Sequence, residues 1–250
     1  MKCVLLCVML LSCLNQLTTS TNFQKKNQTT DPIQKIMKVH QILEGFSNPP
    51  LELVSESLDS EITPLKLETI NWEEFPYLPD VTVQIAYNDD ELFLQYKVNE
   101  QSVKAEQGEN NGKVWTDSCV EFFLSPDRND VYYNLEMNCI GTALLGFRKK
   151  GDPTIHGTDE IINSIRRVST LGSSTFCEKK EQTQWKITVA IPWNVFFKHQ
   201  LKPVKGKKMR GNFYKCGDEL SVPHFVSWTK IDTEKPAFHM PEFFGGLEFE

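Results

Sequence analysis

Recurrent catalytic signatures are missing from this chain. No GxSxG, HExxH, P-loop or GxGxxG segment occurs in its 250 residues. The usual nucleophile-elbow, zinc-peptidase and nucleotide-binding chemistries therefore have no local motif to stand on. Positive charge is in deficit, with 27 Lys+Arg against 33 Asp+Glu and a formal net charge of -6. Gripping phosphates needs a basic face, so nucleic acid is not an expected partner. Histidine is scarce, at 5, and no pair falls at ligand spacing. With no CxxC either, the sequence assigns no metal ligands. Asp127, Arg128, Asn129 and Asp130 could offer oxygens to calcium, but no EF-hand pattern surrounds them and they read as a solvated turn. The longest apolar run, residues 3–11, is too short to span a bilayer. Internal repeats and low-complexity tracts are absent, and helical periodicity is weak.

What is present begins with a leader. Lys2, the apolar run and the small residues Thr18, Thr19 and Ser20 resemble an export signal over residues 1–20. Leu10-Leu11-Ser12-Cys13 resembles a lipobox, in which Cys13 would be lipidated; cleavage near Ser20 would instead release a soluble protein. Either route predicts an extracytoplasmic domain, touching a membrane only through a lipid anchor. Of 7 Cys, Cys119, Cys139, Cys177 and Cys216 lie beyond the leader. Three full pairings are open to them, as is the alternative of buried free thiols.

The rest has ordinary globular composition, 40% hydrophobic and 24% charged, which excludes a mostly disordered chain. Residues 21–48 are expected to form a loosely packed tether with a short helix near residues 32–44. Asp31-Pro32 looks like a helix start, Ile33, Ile36, Met37, His40 and Leu43 fall near helical spacing, and Gly45 can end it. Pro49-Pro50 closes the tether, and residues 49–250 form the domain proper. There the signal turns to strands: alternation over residues 82–87 and 92–98 around Asn88-Asp89-Asp90, a second hairpin over residues 119–124 and 131–140, then residues 185–191, 212–216 and 225–228. Many short strands and frequent turns predict an all-β, antiparallel β-sandwich of jelly-roll type.

The second hairpin carries the functional signal. Alternation sorts its side chains into two faces. Val120, Phe122, Leu124, Tyr133, Leu135, Met137 and Cys139 form an apolar set assigned to the core. Cys119, Glu121, Phe123, Tyr132, Asn134, Glu136 and Asn138 form the opposite, open face. Rings can stack on the apolar face of a sugar while carboxylates and amides take its hydroxyls. A solvated outer face would suit the same residues. The parity also sets Cys119 and Cys139 on opposite faces, against a disulfide between them.

Several segments together resemble family 9 carbohydrate-binding modules: Trp115-Thr116-Asp117-Ser118-Cys119-Val120-Glu121-Phe122-Phe123, Tyr132-Tyr133-Asn134, Ala190-Ile191-Pro192-Trp193, Ser227-Trp228, and Phe238-His239-Met240-Pro241-Glu242-Phe243-Phe244-Gly245. The match runs from about Leu51 to Glu250 and is most similar to exported, stand-alone bacterial members. The resemblance implies a β-sandwich in which two rings hold a sugar between them. Those rings map to Trp115 and Phe238, with Glu121 binding hydroxyls. The family's basic residue on the next strand is replaced by Glu136, and Val222 stands near the place of another. Asn138 and His239 complete the candidate site. The resemblance also admits a structural calcium, for which no ligands can be named here, and an oligo- or polysaccharide partner.

Three functions compete. The leading one is a non-catalytic exported module that captures glycans in support of polysaccharide catabolism. The second is a glycoside hydrolase using Glu121 and Glu136; against it, both carboxylates are assigned to an open face with no deep cleft to raise a pKa. The third is an adhesion module with a degenerate sugar site.

Overall fold

Alternating β-branched and aromatic residues dominate the elements that form. In chain order these are β1 (Ile36–Gln41), α1 (Leu51–Glu61), β2 (Leu65–Leu67), β3 (Thr69–Ile70), β4 (Asp80–Tyr87), β5 (Glu91–Glu100), β6 (Val103–Ala105), β7 (Cys119–Ser125), β8 (Val131–Asn138) and β9 (Ala143–Lys149). Then follow β10 (Ile155–His156), α2 (Asp159–Ser164), β11 (Arg166–Ser169), β12 (Phe176–Lys179), β13 (Thr183–Pro192), β14 (Lys208–Cys216), β15 (Phe225–Ser227) and β16 (Gly245–Phe249). This computed structural model describes residues 35–127, 130–202 and 204–250. The leader, with Cys13, lies outside the described residues, as do Arg128 and Asn129 of the turn.

The strands make a β-sandwich. One sheet runs β10-β9-β8-β7-β14-β16-β1, and the other runs β1-β4-β5-β13-β11. Every pairing along these paths is antiparallel except the two made by β1, which runs parallel to β16 through residues 36–39 and to β4 through residues 40–41. Between the sheets lies a continuous core that includes Val120, Phe122, Leu124, Leu135, Met137, Tyr96 and Val189. Trp185, Trp193 and Trp228 belong to this core too. No helix among the described residues is long and apolar enough to cross a membrane.

The two hairpins fall where alternation places them, and the β7–β8 ladder is unbulged, pairing Glu121 with Glu136 and Phe122 with Leu135. A 3-10 turn follows β13 at Trp193–Val195.

The N-terminal expectation needs correcting. Residues 36–41 form a strand rather than a helix, and the described part of the tether, residues 35–48, is built into the sandwich, with Val39 and Ile42 buried. Two sheet edges offer unpaired backbone groups there. Satisfying both outweighs the weak helical spacing of Ile36, Met37 and His40. The helix lies one segment later. Pro50 precedes its first turn rather than closing a tether, and Val54 and Leu58, four residues apart, are buried on one face. They pack on Ala86, Phe93 and Ala190 of the second sheet. Gln84 Nε2 donates to the carbonyls of Leu58 and Ile62, capping the helix end.

An ion pair pins the two sheets together. Lys215, on the inner face of β14, is fully buried and places Nζ 2.9 Å from Glu100 Oε2 on β5. The same ammonium donates to the Cys216 carbonyl and to His224 Nε2, each at 2.8 Å. Trp185 Nε1 donates to the other Glu100 oxygen at 2.7 Å. Burial, and then Lys215, push the His224 pKa well below its usual range, so the ring is a neutral acceptor.

Candidate functional site

The outer face of β7, β8 and β14 is not open, contrary to the expectation from alternation alone. Residues from the chain after β15 fold over it. Phe123, Tyr132 and Tyr214 there are buried with Ile231, Phe238 and Phe244 in a second apolar cluster. Glu121 and Glu136 are each only 3% exposed. Between this cover and the sheet lies a cavity of about 390 Å³ lined by residues including Trp115, Glu121, Glu136, Leu144, Arg148, Cys216, Asp218, Phe225, Phe238 and His239. Other cavities of about 540 and 490 Å³ exist; the first has one buried carboxyl, Glu91, already paired with Arg166 at 2.7 Å, and neither gathers two buried carboxyls.

Trp115 reaches the cavity from a 3-10 turn, Val114–Thr116, held by the two residues that follow it. Asp117 accepts from the backbone N–H of Glu106 and Gln107 and from Asn138 Nδ2. Ser118 Oγ accepts from the N–H of Lys104. Three donors on one carboxylate fix the loop that presents the indole. Asn138, expected in the site, belongs to this knot instead. Its Oδ1 accepts from Ile140 and Thr142, its Nδ2 donates to Gln107 and Asp117, and it is fully buried away from the cavity lining. An amide offers two acceptor sites and two donors, and all four are spent on the protein.

The two rings expected to clasp a sugar do share the cavity, but not as a matched pair. Phe238 is 9% exposed and stacks on Tyr214, with centroids 4.2 Å apart and planes 13° from parallel. One face of the phenyl ring is therefore occupied. Trp115 is half-buried and supplies the larger available ring surface. His239 lies against Phe123, centroids 4.9 Å apart, with Nδ1 3.1 Å from the Tyr132 hydroxyl and Nε2 4.0 Å from Glu136 Oε1. Burial first, and then Arg148, lower its pKa and keep the ring neutral.

On the cavity floor the cross-strand partners Glu121 and Glu136 stand side by side. Arg148 Nε donates to Asn134 Oδ1 at 3.1 Å, and Asn134 Nδ2 donates to Glu136 Oε1 at 2.9 Å. Burial drives the Glu121 carboxyl well above the ordinary range, and the Glu136 charge adds to it. Burial raises Glu136 to about 7 against the help of Asn134 and Arg148, and raises Asp218 to about 6. The earlier objection that no cleft could raise a carboxyl pKa is thus overturned. A carboxyl raised in this way keeps its proton, and with it the ability to donate, to higher pH than a free one, whereas a carboxylate only accepts.

Arg148 and Asp218 were not among the residues expected from sequence. Arg148 could have been found by carrying the hairpin parity one strand further: it pairs with Tyr132, four register positions from the Glu136–Leu144 pair and so on the same face. Asp218 lies past the end of β14, where alternation carries no information. Val222 is not among the residues lining the cavity.

Calcium prefers oxygen donors in numbers. Among the described residues, the one group able to converge on an ion is Cys119, Glu121 and Cys216, which does not fit it.

Comparisons with known proteins agree with the fold. A crystal structure of a proposed carbohydrate-binding protein from Bacteroides uniformis is 40% identical to this chain, covers 87% of it and 100% of its own length, and superposes with a TM-score of 0.84. Carbohydrate-binding family 9 modules from Caldicellulosiruptor kristjanssonii share the fold at 13% and 12% identity. The first, in complex with cellotriose, has a TM-score of 0.53 over 86% of this chain and 94% of its own; the second, in complex with glucose, has 0.52 over 86% and 96%. No protein of curated function matches. The model of Carbohydrate-binding family 9 matches residues 52–249, and with that extent of match the chain belongs to Carbohydrate-binding family 9.

Proposed function

We propose that the cavity beneath Trp115 binds a sugar without cleaving it. The observation that carries this reading is the juxtaposition of a presented indole with a floor of Glu121, Glu136 and Arg148. A pyranose has an apolar face and a rim of hydroxyls. The indole covers the first, and charged groups make strong hydrogen bonds to the second. The cavity volume lies in the range of small-ligand sites and suits a mono- or disaccharide rather than a long chain buried throughout. A hydrolase would need its two carboxyls on either side of a glycosidic bond. Glu121 and Glu136 are neighbours on one floor, so a ring lies over both and no bond lies between them.

The resemblance of residues 1–20 to an export signal supports binding outside the cytoplasm, either after lipidation of Cys13 or after cleavage near Ser20. The supported role is glycan capture for polysaccharide use.

Calorimetry against a panel of mono- and oligosaccharides tests the reading. Trp115→Ala should weaken binding of whichever sugar the wild type takes by roughly 1–3 kcal/mol, the scale of one large apolar contact surface. Unchanged affinity in that variant would remove the basis of the proposal.

A further inference from the structure

Two thiols and a carboxylate meet at one end of the cavity floor. Cys119 begins β7, and its direct cross-strand partner on β14 is Cys216. Glu121 stands two residues along on the same face. Both cysteines are buried and free. The Cys216 Sγ donates to Glu121 Oε1 at 3.2 Å and points at the Trp115 carbonyl at 3.7 Å. One ligand atom from each of Cys119, Glu121 and Cys216 lies within 4.8 Å of the others. A tetrahedral ion holds sulfur at about 2.3 Å and carboxylate oxygen at about 2.0–2.2 Å, so a contraction of about 1 Å by side-chain rotation would close the triangle.

We infer that Cys119, Glu121 and Cys216 form a site for one thiophilic divalent cation of the zinc type. Donor chemistry selects the class: two sulfurs disfavour calcium and magnesium, and three donors with a fourth position open are the pattern of a zinc site that keeps an exchangeable ligand. The open side faces the cavity, because Cys216, Glu121 and Asp218 all line it. That gives the ion an entry path and gives water or Asp218 the fourth position. The surroundings agree: three carboxyls, Glu121, Glu136 and Asp218, share the cavity with one guanidinium, Arg148, so acceptor oxygens outnumber cations around the site. On binding, each Sγ–H bond breaks, as does the O–H bond of Glu121 where that carboxyl is protonated; the freed electron pairs form the bonds to the metal, and the protons leave to solvent.

The site was invisible in sequence because its ligands come from strands 95 residues apart and share no short motif. It does not depend on the sugar reading, and the readouts below contain no sugar, so either idea can fail alone.

The test is a cobalt(II) titration of the full chain, reduced and handled without oxygen. The expected result is one cobalt per chain, with a thiolate-to-cobalt charge-transfer band, tetrahedral d–d bands and displacement by one equivalent of zinc. Cys119→Ser and Cys216→Ser should each abolish stoichiometric uptake, while Cys177→Ser, at an exposed thiol, should leave it unchanged. Absence of the charge-transfer band in the wild type would overturn the inference, as would its persistence in the Cys119→Ser/Cys216→Ser double variant. A measurement without variants guards against misfolding: maleimide labelling in moderate urea, read by mass spectrometry, should show zinc protecting Cys119 and Cys216 but not Cys177. Equal labelling with and without zinc, or a Cys119–Cys216 disulfide in the purified chain, would also overturn it.

Discussion

Replacing Lys215 by Met tests how the sandwich is held behind the site. The ammonium is fully buried and fully engaged, with Glu100 at 2.9 Å and with the Cys216 carbonyl and His224 Nε2 both at 2.8 Å. Methionine matches the length of the side chain and keeps its packing, so the perturbation is mainly electrostatic. It strands the Glu100 carboxylate in the core with Trp185 Nε1 as its remaining donor, and leaves His224 Nε2 without its hydrogen. Breaking a buried pair from one side costs about 3–5 kcal/mol, because the surviving charge keeps its desolvation cost and loses its compensation. For a domain of this size that corresponds to a fall in Tm of roughly 6–20 °C. The assay is urea denaturation at pH 7, with the m-value checked for constancy. Adding Glu100→Gln should recover at least half of the loss. The amide oxygen keeps the indole bond, and the amide nitrogen would occupy the place of Oε2, 3.8 Å from His224 Nε2. A loss under about 1 kcal/mol, or a double variant no more stable than the single one, would refute the assignment of this cluster as the electrostatic tie between β14 and β5.

The remaining predictions separate binding from folding. Phe238→Ala should cost about 3–5 kcal/mol of stability, as expected for a large core ring, yet weaken sugar binding less than Trp115→Ala does, because its stacking face is already spent on Tyr214; calorimetry beside thermal melts decides, and the reverse ranking would contradict the geometry. Asp117→Ala removes the acceptor for three donors and should cost about 2–4 kcal/mol of stability. It should also reduce sugar affinity from outside the cavity, and unaltered affinity would show that the Trp115 loop holds itself. The neutral His224 gives a pH signature. Its folded pKa is depressed while the unfolded chain titrates near 6.5, so below about pH 6.5 the unfolded state binds a proton that the native state refuses, and stability falls by up to about 1.4 kcal/mol per unit as pH drops. The carboxyls with raised pKa act in the opposite sense. The discriminating measurement is therefore the difference in slope between wild type and His224→Gln over pH 4–6.5, and identical slopes would count against the buried neutral ring.

Alternation made the hairpins legible because one face of β7 and β8 is apolar throughout, and a one-residue slip would invert every side chain. It could not show what covers the other face. Residues such as Ile231 and Phe244 lie on irregular segments whose packing is a tertiary fact. Hence Glu121 and Glu136 were placed on the correct face, but their burial, and with it their raised pKa values, was missed. Asn138 has the expected parity but lies away from the cavity lining, because its side-chain Oδ1 closes the turn by accepting from Ile140 and Thr142. β1 was misread for a related reason: its partners, β16 and β4, are far away in sequence, and local spacing carried only a weak helical pattern.

The parallel strand at the start of the domain has a consequence for the order of events during synthesis. Among the described residues, Ile36–Gln41 is the one strand that hydrogen-bonds to both sheets along the sandwich path, and its main partner is Gly245–Phe249. Hairpins such as β4–β5 and β7–β8 can form as soon as their residues leave the ribosome. The seam that joins the sheets cannot, because β1 waits for β16, about 200 residues later in the sequence. Such an end-to-end contact carries a large loop-closure cost and slows the final step. The seam between the two sheets therefore stays open until Gly245–Phe249 has emerged.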